Sequence, residues 1–191
     1  MKKQKKKYQK PEIKKEEVAV NFFWDQSRYF DSLSGMNGSL LAACPNSCGC
    51  FLSGSKVTLA DGESAPIESI ATGDVVLSYD PQKNQFMENT VIKNERHSNE
   101  NQYFIINHLM SVTGNHRVWV HNRTWKRVDE LRIGDYLLDR TLQPVEVSSL
   151  ELKKEEREVY NLHLADAAHT YFVENLLVHN GTFFQTAEKP P

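Results

Sequence analysis

From Cys50 onward, short apolar runs alternate with polar turn residues. Each run holds three to six residues rich in Val, Ile, Leu, Tyr or Thr, a length and composition typical of β-strands. The first run is followed by Asp61-Gly62, a strong turn signal. The predicted strands are residues 57–59, 75–79, 90–92, 103–106, 118–120, 136–138, 145–150, 159–164 and 171–173. Helical spacing is convincing only for single turns at residues 67–70 and 128–131. The pattern predicts an all-β domain of roughly 130 residues.

An internal repeat runs through this β-rich region. Residues 66–77 (PIESIATGDVVL) align without a gap with residues 127–138 (RVDELRIGDYLL), at an offset of 61. The same offset places Val57 on Val118 and Leu59 on Val120, so the two copies span residues 57–77 and 118–138. Each copy predicts a strand, a turn, one helical turn, a Gly-Asp pair and another strand. Two related copies predict a pseudo-twofold β fold, and such folds often place a site where the halves meet.

The charge distribution separates a basic leader from an acidic body. The 191-residue chain is 39% apolar and 25% charged, with a formal net charge of -2. Residues 1–17 hold eight of the 23 Lys and Arg but three of the 25 Asp and Glu, so the remainder carries 15 basic and 22 acidic residues. This distribution excludes a generally basic nucleic-acid binder and predicts a Lys-rich, solvated tail. Residues 18–49 follow as an upstream segment that ends in a Cys- and Gly-rich linker.

Membrane and metal-binding classes find little support in the sequence. No run of 18 apolar residues exists, so we expect no membrane-spanning helix, and no apolar stretch follows the basic start as a secretory signal requires. Cys44, Cys48 and Cys50 lie within seven residues, and no cysteine occurs elsewhere. Nothing downstream supplies the second half of a zinc site, so we expect no metal and no cofactor. The odd count leaves at least one thiol without a partner cysteine.

Four motifs in order resemble the Hint domain, the self-processing module shared by inteins, bacterial intein-like domains and hedgehog proteins. They are residues 50–57 (CFLSGSKV), 113–116 (TGNH), 159–173 (beginning VYNL and ending HTYFV) and 178–180 (VHN). The resemblance covers residues 50–180 and implies a horseshoe-like, pseudo-twofold β fold with short helical turns. The spacing leaves no room for an inserted endonuclease.

The upstream end of this domain carries a nucleophile. The thiol of Cys50 can attack the carbonyl of Gly49 and convert the peptide bond into a thioester, and proximity lowers the barrier of such an intramolecular step. By the resemblance, His116 protonates the departing nitrogen and Thr113 positions the scissile carbonyl. The alternative for Cys50 is a small buried thiol without chemistry.

The downstream end carries a second reaction. The side-chain amide of Asn180 can attack its own carbonyl carbon, forming a succinimide and breaking the Asn180–Gly181 bond. His179 is expected to donate to the carbonyl oxygen or the leaving amine, and His169 to activate the amide. Catalytic residues are therefore predicted at Cys50, Thr113, His116, His169, His179 and Asn180, and cleavage sites at Gly49–Cys50 and Asn180–Gly181.

Two positions depart from splicing inteins. Gly181 stands where they carry Cys, Ser or Thr, and Thr182 lies one residue too late for the usual acceptor. Asn161 stands where many inteins carry Asp, and an amide is neither an acid nor a base. The departures favour cleavage with little or no splicing, as in bacterial intein-like and toxin-associated Hint modules.

Two alternatives stay open: splicing through a non-standard acceptor such as Thr182, and a β-rich interaction module without processing. For the leading hypothesis, the substrates are the chain's own flanks, residues 1–49 and 181–191, acting within a monomer. The sequence does not decide between a cytoplasmic protein and a piece of a secreted or surface precursor.

Overall fold

The computed structural model describes residues 49–121 and 124–180, without the side chains of residues 98–100. The Lys-rich tail, the remainder of the upstream segment, Gly181, Thr182 and the rest of the C-terminal tail lie outside the described residues. The strands are β1 Phe51–Leu52, β2 Lys56–Thr58, β3 Ser64–Pro66, β4 Val75–Asp80, β5 Gln85–Glu100, β6 Tyr103–Ile106, β7 Met110–Val112, β8 Arg117–Val120, β9 Thr124–Arg127, β10 Tyr136–Leu138, β11 Pro144–Glu146, β12 Leu150–Lys153, β13 Arg157–Leu164, β14 Thr170–Val173 and β15 Leu176–His179. Two 3₁₀ turns, Ile67–Ser69 and Val128–Glu130, complete the elements.

The strands form two antiparallel sheets, which confirms the all-β prediction. The first sheet has the order β12-β6-β7-β1-β13-β5-β4. The second has the order β11-β10-β8-β15-β14-β2-β3, and β9 pairs with β8 beside it. The part of the chain that the structure describes holds no helix long and apolar enough to cross a membrane.

The sequence repeat is also a repeat of backbone hydrogen bonds. The amide of Asp74 donates to Ala71, and 61 residues later that of Asp135 donates to Arg132. The side chain of Asp74 accepts a hydrogen bond from the Ala71 amide at 2.8 Å, and the side chain of Asp135 accepts one from the Arg132 amide at 2.7 Å. The glycine before each aspartate has φ near +90° in both copies, a conformation that favours glycine. The two Gly-Asp segments therefore have the same turn geometry.

The hairpin of β14 and β15 joins the two copies of the repeat. Val173 of β14 pairs with Val57 in the first copy, and Val178 of β15 pairs with Val118 in the second. All four valines are fully buried within one hydrophobic cluster. The last two strands therefore lie in the middle of the second sheet, between the copies.

The largest differences from the predicted elements concern β5 and the region after β10. The short strand expected at residues 90–92 is part of a 16-residue strand. The prediction was too short because most of this strand is polar and lacks the alternation of apolar and polar residues that marks a strand. Residues 145–150 form two strands in different sheets rather than one. The chain breaks there because the amides of Ser148 and Ser149 donate to the side chain of Asn107 instead of to a neighbouring strand. Five short strands were not predicted: β1, β3, β7, β9 and β15.

Candidate active site

Cys50 lies immediately before β1, the strand that pairs with β7 on one side and with β13 on the other. Its amide donates to the Thr113 hydroxyl at 2.8 Å, and its carbonyl accepts from the Thr113 amide at 2.9 Å. The Thr113 hydroxyl donates its own proton to Asn115 at 2.7 Å. Both Cys50 and Thr113 are buried. Thr113 therefore fixes the backbone of Cys50, the predicted nucleophile, and the hydrogen bond to Asn115 fixes the orientation of the Thr113 hydroxyl.

His116 packs directly against Gly49, the residue before the nucleophile. A Cβ atom built at Gly49 would overlap the Cα, Cβ and Nδ1 atoms of His116. The ring of His116 also makes an edge contact with Phe51, with centroids 4.3 Å apart. The structure thus brings the predicted proton donor to the predicted scissile peptide.

Burial lowers the pKa of His116 to about 4, the Gly49 backbone opposes this effect, and the charge of His179 adds to it. Neither ring nitrogen of His116 has a partner of good hydrogen-bond geometry among the described residues. The imidazole is therefore neutral at pH 7 and has capacity to exchange a proton with a reacting group.

Two more polar side chains lie near Cys50. Phe51 pairs with Tyr160, so continuing this antiparallel register by one residue places Asn161 opposite Cys50. Asn161 is completely buried, and its side-chain amide has no hydrogen-bond partner in the described part of the chain. Tyr171 is also completely buried, and burial raises the pKa of its phenol, to which Cys50 adds a further increase.

At the other end of the domain, Asn180 follows β15 directly. Its amide donates to the carbonyl of His169 at 2.6 Å, and its side chain is buried with Oδ1 lacking a partner among the described residues. His169 has φ of +49°, the left-handed conformation. The rings of His169 and His179 have centroids 6.3 Å apart. The three residues predicted for the downstream reaction are therefore neighbours.

His179 is covered by a tryptophan that the sequence motifs did not indicate. The ring of Trp125 on β9 contacts it edge-on, with centroids 4.9 Å apart. The pKa of His179 is lowered to about 4, first by burial and then by the charges of His169 and Arg117, while the Asn180 backbone opposes the change. This imidazole is also neutral at pH 7.

The residues predicted for the upstream reaction and those predicted for the downstream reaction lie close together where β8 pairs with β15. His179 pairs with Arg117, so continuing the register by one residue places His116 opposite Asn180. The electrostatic effect of His179 on His116 agrees with this proximity. Of the six predicted site residues, His179 is the last residue of β15, and the other five each lie one residue beyond the end of a strand. Over residues 49–121 and 124–180, no group of three or more His, Cys, Asp or Glu side chains is placed to hold a metal ion.

Gly49, Trp125 and Thr170 complete the surroundings of the site in ways that sequence reasoning missed. Gly49 was predicted as a cleavage position, but its packing against His116 was not. Thr170 contacts another strand through its hydroxyl group. Such contacts depend on the register between distant strands, and no local motif encodes them.

Comparison with known proteins identifies the family. A family model described as the pretoxin HINT domain matches residues 56–187. A bacterial intein-like domain from Clostridium thermocellum, solved in solution, is 28% identical with a TM-score of 0.63, covering 69% of this chain and 98% of that one. A DnaB intein from Synechocystis sp. PCC 6803 is 19% identical with a TM-score of 0.58, covering 70% and 99% of the two chains, and supports the fold alone. None of the curated proteins matches. With more than half of its length matched, the chain belongs to the pretoxin HINT domain family and has the Hint fold of inteins and intein-like domains.

Proposed function

We propose that this domain cleaves its own chain at both ends, by a thioester at Gly49–Cys50 and by cyclisation of Asn180. The observation that carries the proposal is the packing of two neutral imidazoles, that of His116 buried and that of His179 partly buried, where the ends of the domain meet. His116 contacts Gly49, and His179 lies beside Asn180. A nucleophile precedes the first described strand, and a cyclising residue follows the last.

In the upstream step, Cys50 Sγ forms a bond to the carbonyl carbon of Gly49 while the bond from that carbon to the Cys50 nitrogen breaks. The thiol loses one proton and the nitrogen gains one. His116 carries this proton, because it is neutral, buried and in contact with the scissile residue. The Thr113 hydroxyl accepts the Cys50 N–H at 2.8 Å and so orients the leaving nitrogen.

In the downstream step, the Asn180 side-chain nitrogen forms a bond to the carbonyl carbon of the same residue, and the bond to Gly181 breaks. The amide nitrogen loses a proton, and the Gly181 nitrogen gains one. His169 accepts the first proton. The neutral His179 ring passes a proton to the Gly181 nitrogen and takes one up in exchange, and His169 returns its proton to solvent, so both rings end neutral. The 2.6 Å hydrogen bond from Asn180 to the His169 carbonyl fixes the backbone on which the ring closes.

The products are separate fragments rather than a spliced chain. Gly181 has no side chain to receive the upstream acyl group. Water, a thiol or an amine therefore resolves the thioester. The substrates are the flanking segments of the same chain, and the description of the family as a pretoxin domain supports flanks that belong to a toxin precursor.

Intact-mass measurement during incubation tests the proposal. The wild-type chain is expected to lose residues 181–191, and hydroxylamine is expected to release residues 1–49 as the hydroxamate. Asn180→Ala should abolish only the first product and Cys50→Ala only the second. An unchanged mass in all three proteins, with and without hydroxylamine, would refute the proposal and favour the interaction module. A product joining residues 1–49 to residues 181–191 would instead show splicing.

A further inference from the structure

We propose that the buried hydroxyl of Thr170 is a positioning group for the Asn180 reaction. Thr170 opens β14, directly after His169, and is 1% exposed. Its hydroxyl links β14, which belongs to the second sheet, to β4, which lies at the edge of the first sheet. The inference rests on the proposed function and deepens it, because it names a group outside the reacting residues on which one of the two cleavages depends.

Three contacts surround the Thr170 oxygen atom. It donates to the Tyr79 carbonyl at 2.6 Å and lies 3.3 Å from the Tyr79 amide, which donates to it. It also lies 2.7 Å from the hydroxyl oxygen of Ser78. A threonine hydroxyl carries one proton, and the Tyr79 carbonyl takes it, so Ser78 is the donor in the third contact. The hydroxyl is therefore fully engaged by β4.

These contacts determine where His169 and Asn180 lie. Thr170 pairs with His179 across the hairpin, and its preceding residue accepts the Asn180 amide at 2.6 Å. His169 adopts the left-handed conformation, which costs energy for a residue with a Cβ and requires support from its surroundings. Anchoring Thr170 to β4 holds the His169 carbonyl, and that carbonyl holds the Asn180 backbone.

The loop before His169 is anchored to the same sheet at a second point. The Asp166 amide donates to the buried side chain of Asn89 on β5 at 2.9 Å, and the amide of Ala165 donates to the Thr90 carbonyl. His169 therefore lies between two attachments, one on each side in the sequence. The Cys50 backbone, by contrast, is bonded to Thr113 of the segment between β7 and β8. Removing the Thr170 hydroxyl is expected to disturb the downstream reaction selectively.

The test measures the two reactions separately. Loss of residues 181–191 is followed by intact mass in a Cys50→Ala background, and hydroxylamine release of residues 1–49 in an Asn180→Ala background. Thr170→Val, which keeps the side-chain shape, should slow the first reaction at least tenfold and change the second by less than twofold. Thr170→Ser, which keeps the hydroxyl, should restore the first to within threefold of the parent.

Thr58→Val is the matched control. Thr58 is also 1% exposed, but its hydroxyl has no hydrogen-bond partner in the described part of the chain, so both rates should stay within twofold. Thr170→Ala, assayed at low temperature, replaces Thr170→Val if the latter does not fold. Equal slowing of both reactions, unchanged downstream cleavage, or failure of Thr170→Ser to restore it would overturn the inference. Absence of downstream cleavage in the parent chain would refute the proposed function itself, and this inference with it.

Discussion

At the scale of single residues, the contact between Gly49 and His116 constrains which residue can precede Cys50. A methyl group at position 49 would overlap backbone as well as side-chain atoms of His116. Changing a rotamer cannot relieve a clash with a backbone atom. Overpacking of this kind costs about 1–3 kcal/mol and displaces the groups involved. We expect Gly49→Ala to slow thioester formation about tenfold or more, measured as hydroxylamine release of residues 1–49 in the Asn180→Ala background.

Gly54→Ala provides the control for this substitution. Its added Cβ would meet nothing within 4 Å, but its φ of +87° disfavours any residue with a Cβ. Gly54→Ala should therefore lower stability and leave the rate of thioester formation unchanged. Equal rates for Gly49→Ala and the parent would show that His116 does not limit the residue at position 49.

The lowered pKa values of His116 and His179 predict how stability depends on pH. His116 and His179 have pKa values near 4 in the folded domain, against about 6.5 in an unfolded chain. Between these values the unfolded chain binds more protons, so the free energy of unfolding rises with pH from about 4 to about 6.5 and is constant with respect to these groups above that. Each tenfold difference in proton affinity corresponds to about 1.4 kcal/mol.

Denaturant unfolding of Cys50→Ala/Asn180→Ala at a series of pH values checks this expectation. Adding His116→Gln should reduce the dependence between pH 4 and 6.5, because the titrating group is gone. Carboxyl groups whose pKa values are held low by hydrogen bonds, such as Glu95 beside Lys93, contribute in a lower pH range and in both proteins. Parallel curves for the two proteins would contradict a buried neutral His116.

At the scale of elements, β9 contributes to the site through one side chain. Trp125 contacts His179 edge-on and helps exclude water from it. Trp125→Ala should raise the pKa of His179 from about 4 toward 6.5, since burial is the main cause of the lowered value. Titration of the His179 ring protons by NMR in the Cys50→Ala/Asn180→Ala background measures the change. Trp125→Phe keeps an aromatic cover and should give a smaller increase, whereas an unchanged pKa in Trp125→Ala would assign the burial to other residues.

The elements also show how far local sequence determines this structure. The strands Tyr103–Ile106 and Tyr136–Leu138 match their predicted bounds, because each is a short apolar run between turn residues. The exposed, polar part of β5 has no such run and is a strand because β13 and β4 pair with it. The motifs indicated the candidate site residues, and the roles of those residues stay predictions. The contacts of Trp125 and Thr170 could not be predicted, because they require the packing of strands far apart in sequence.

At the scale of the whole molecule, the two copies of the repeat share one hydrophobic core. The same buried cluster contains Val57 and Ile67 from the first copy and Val118 and Val128 from the second. The β14–β15 hairpin, which follows His169 directly and ends at His179, pairs with both copies. Moving either copy would therefore also move the hairpin and the residues of the downstream site. Because the copies share this hairpin and one core, we expect them to unfold as one unit.

Val57→Ala tests that cooperativity. Val57 is fully buried in the first copy, whereas the two tryptophans of the described region, Trp119 and Trp125, lie in the second. In the Cys50→Ala/Asn180→Ala background, with Trp24 replaced by Phe, tryptophan fluorescence then reports on the second copy and far-UV circular dichroism on both. If the shared core couples the copies, Val57→Ala should lower both denaturation midpoints equally, and the transitions should coincide. A shift of the dichroism midpoint without a shift in fluorescence would show instead that the copies unfold separately and that their common hairpin does not link them energetically.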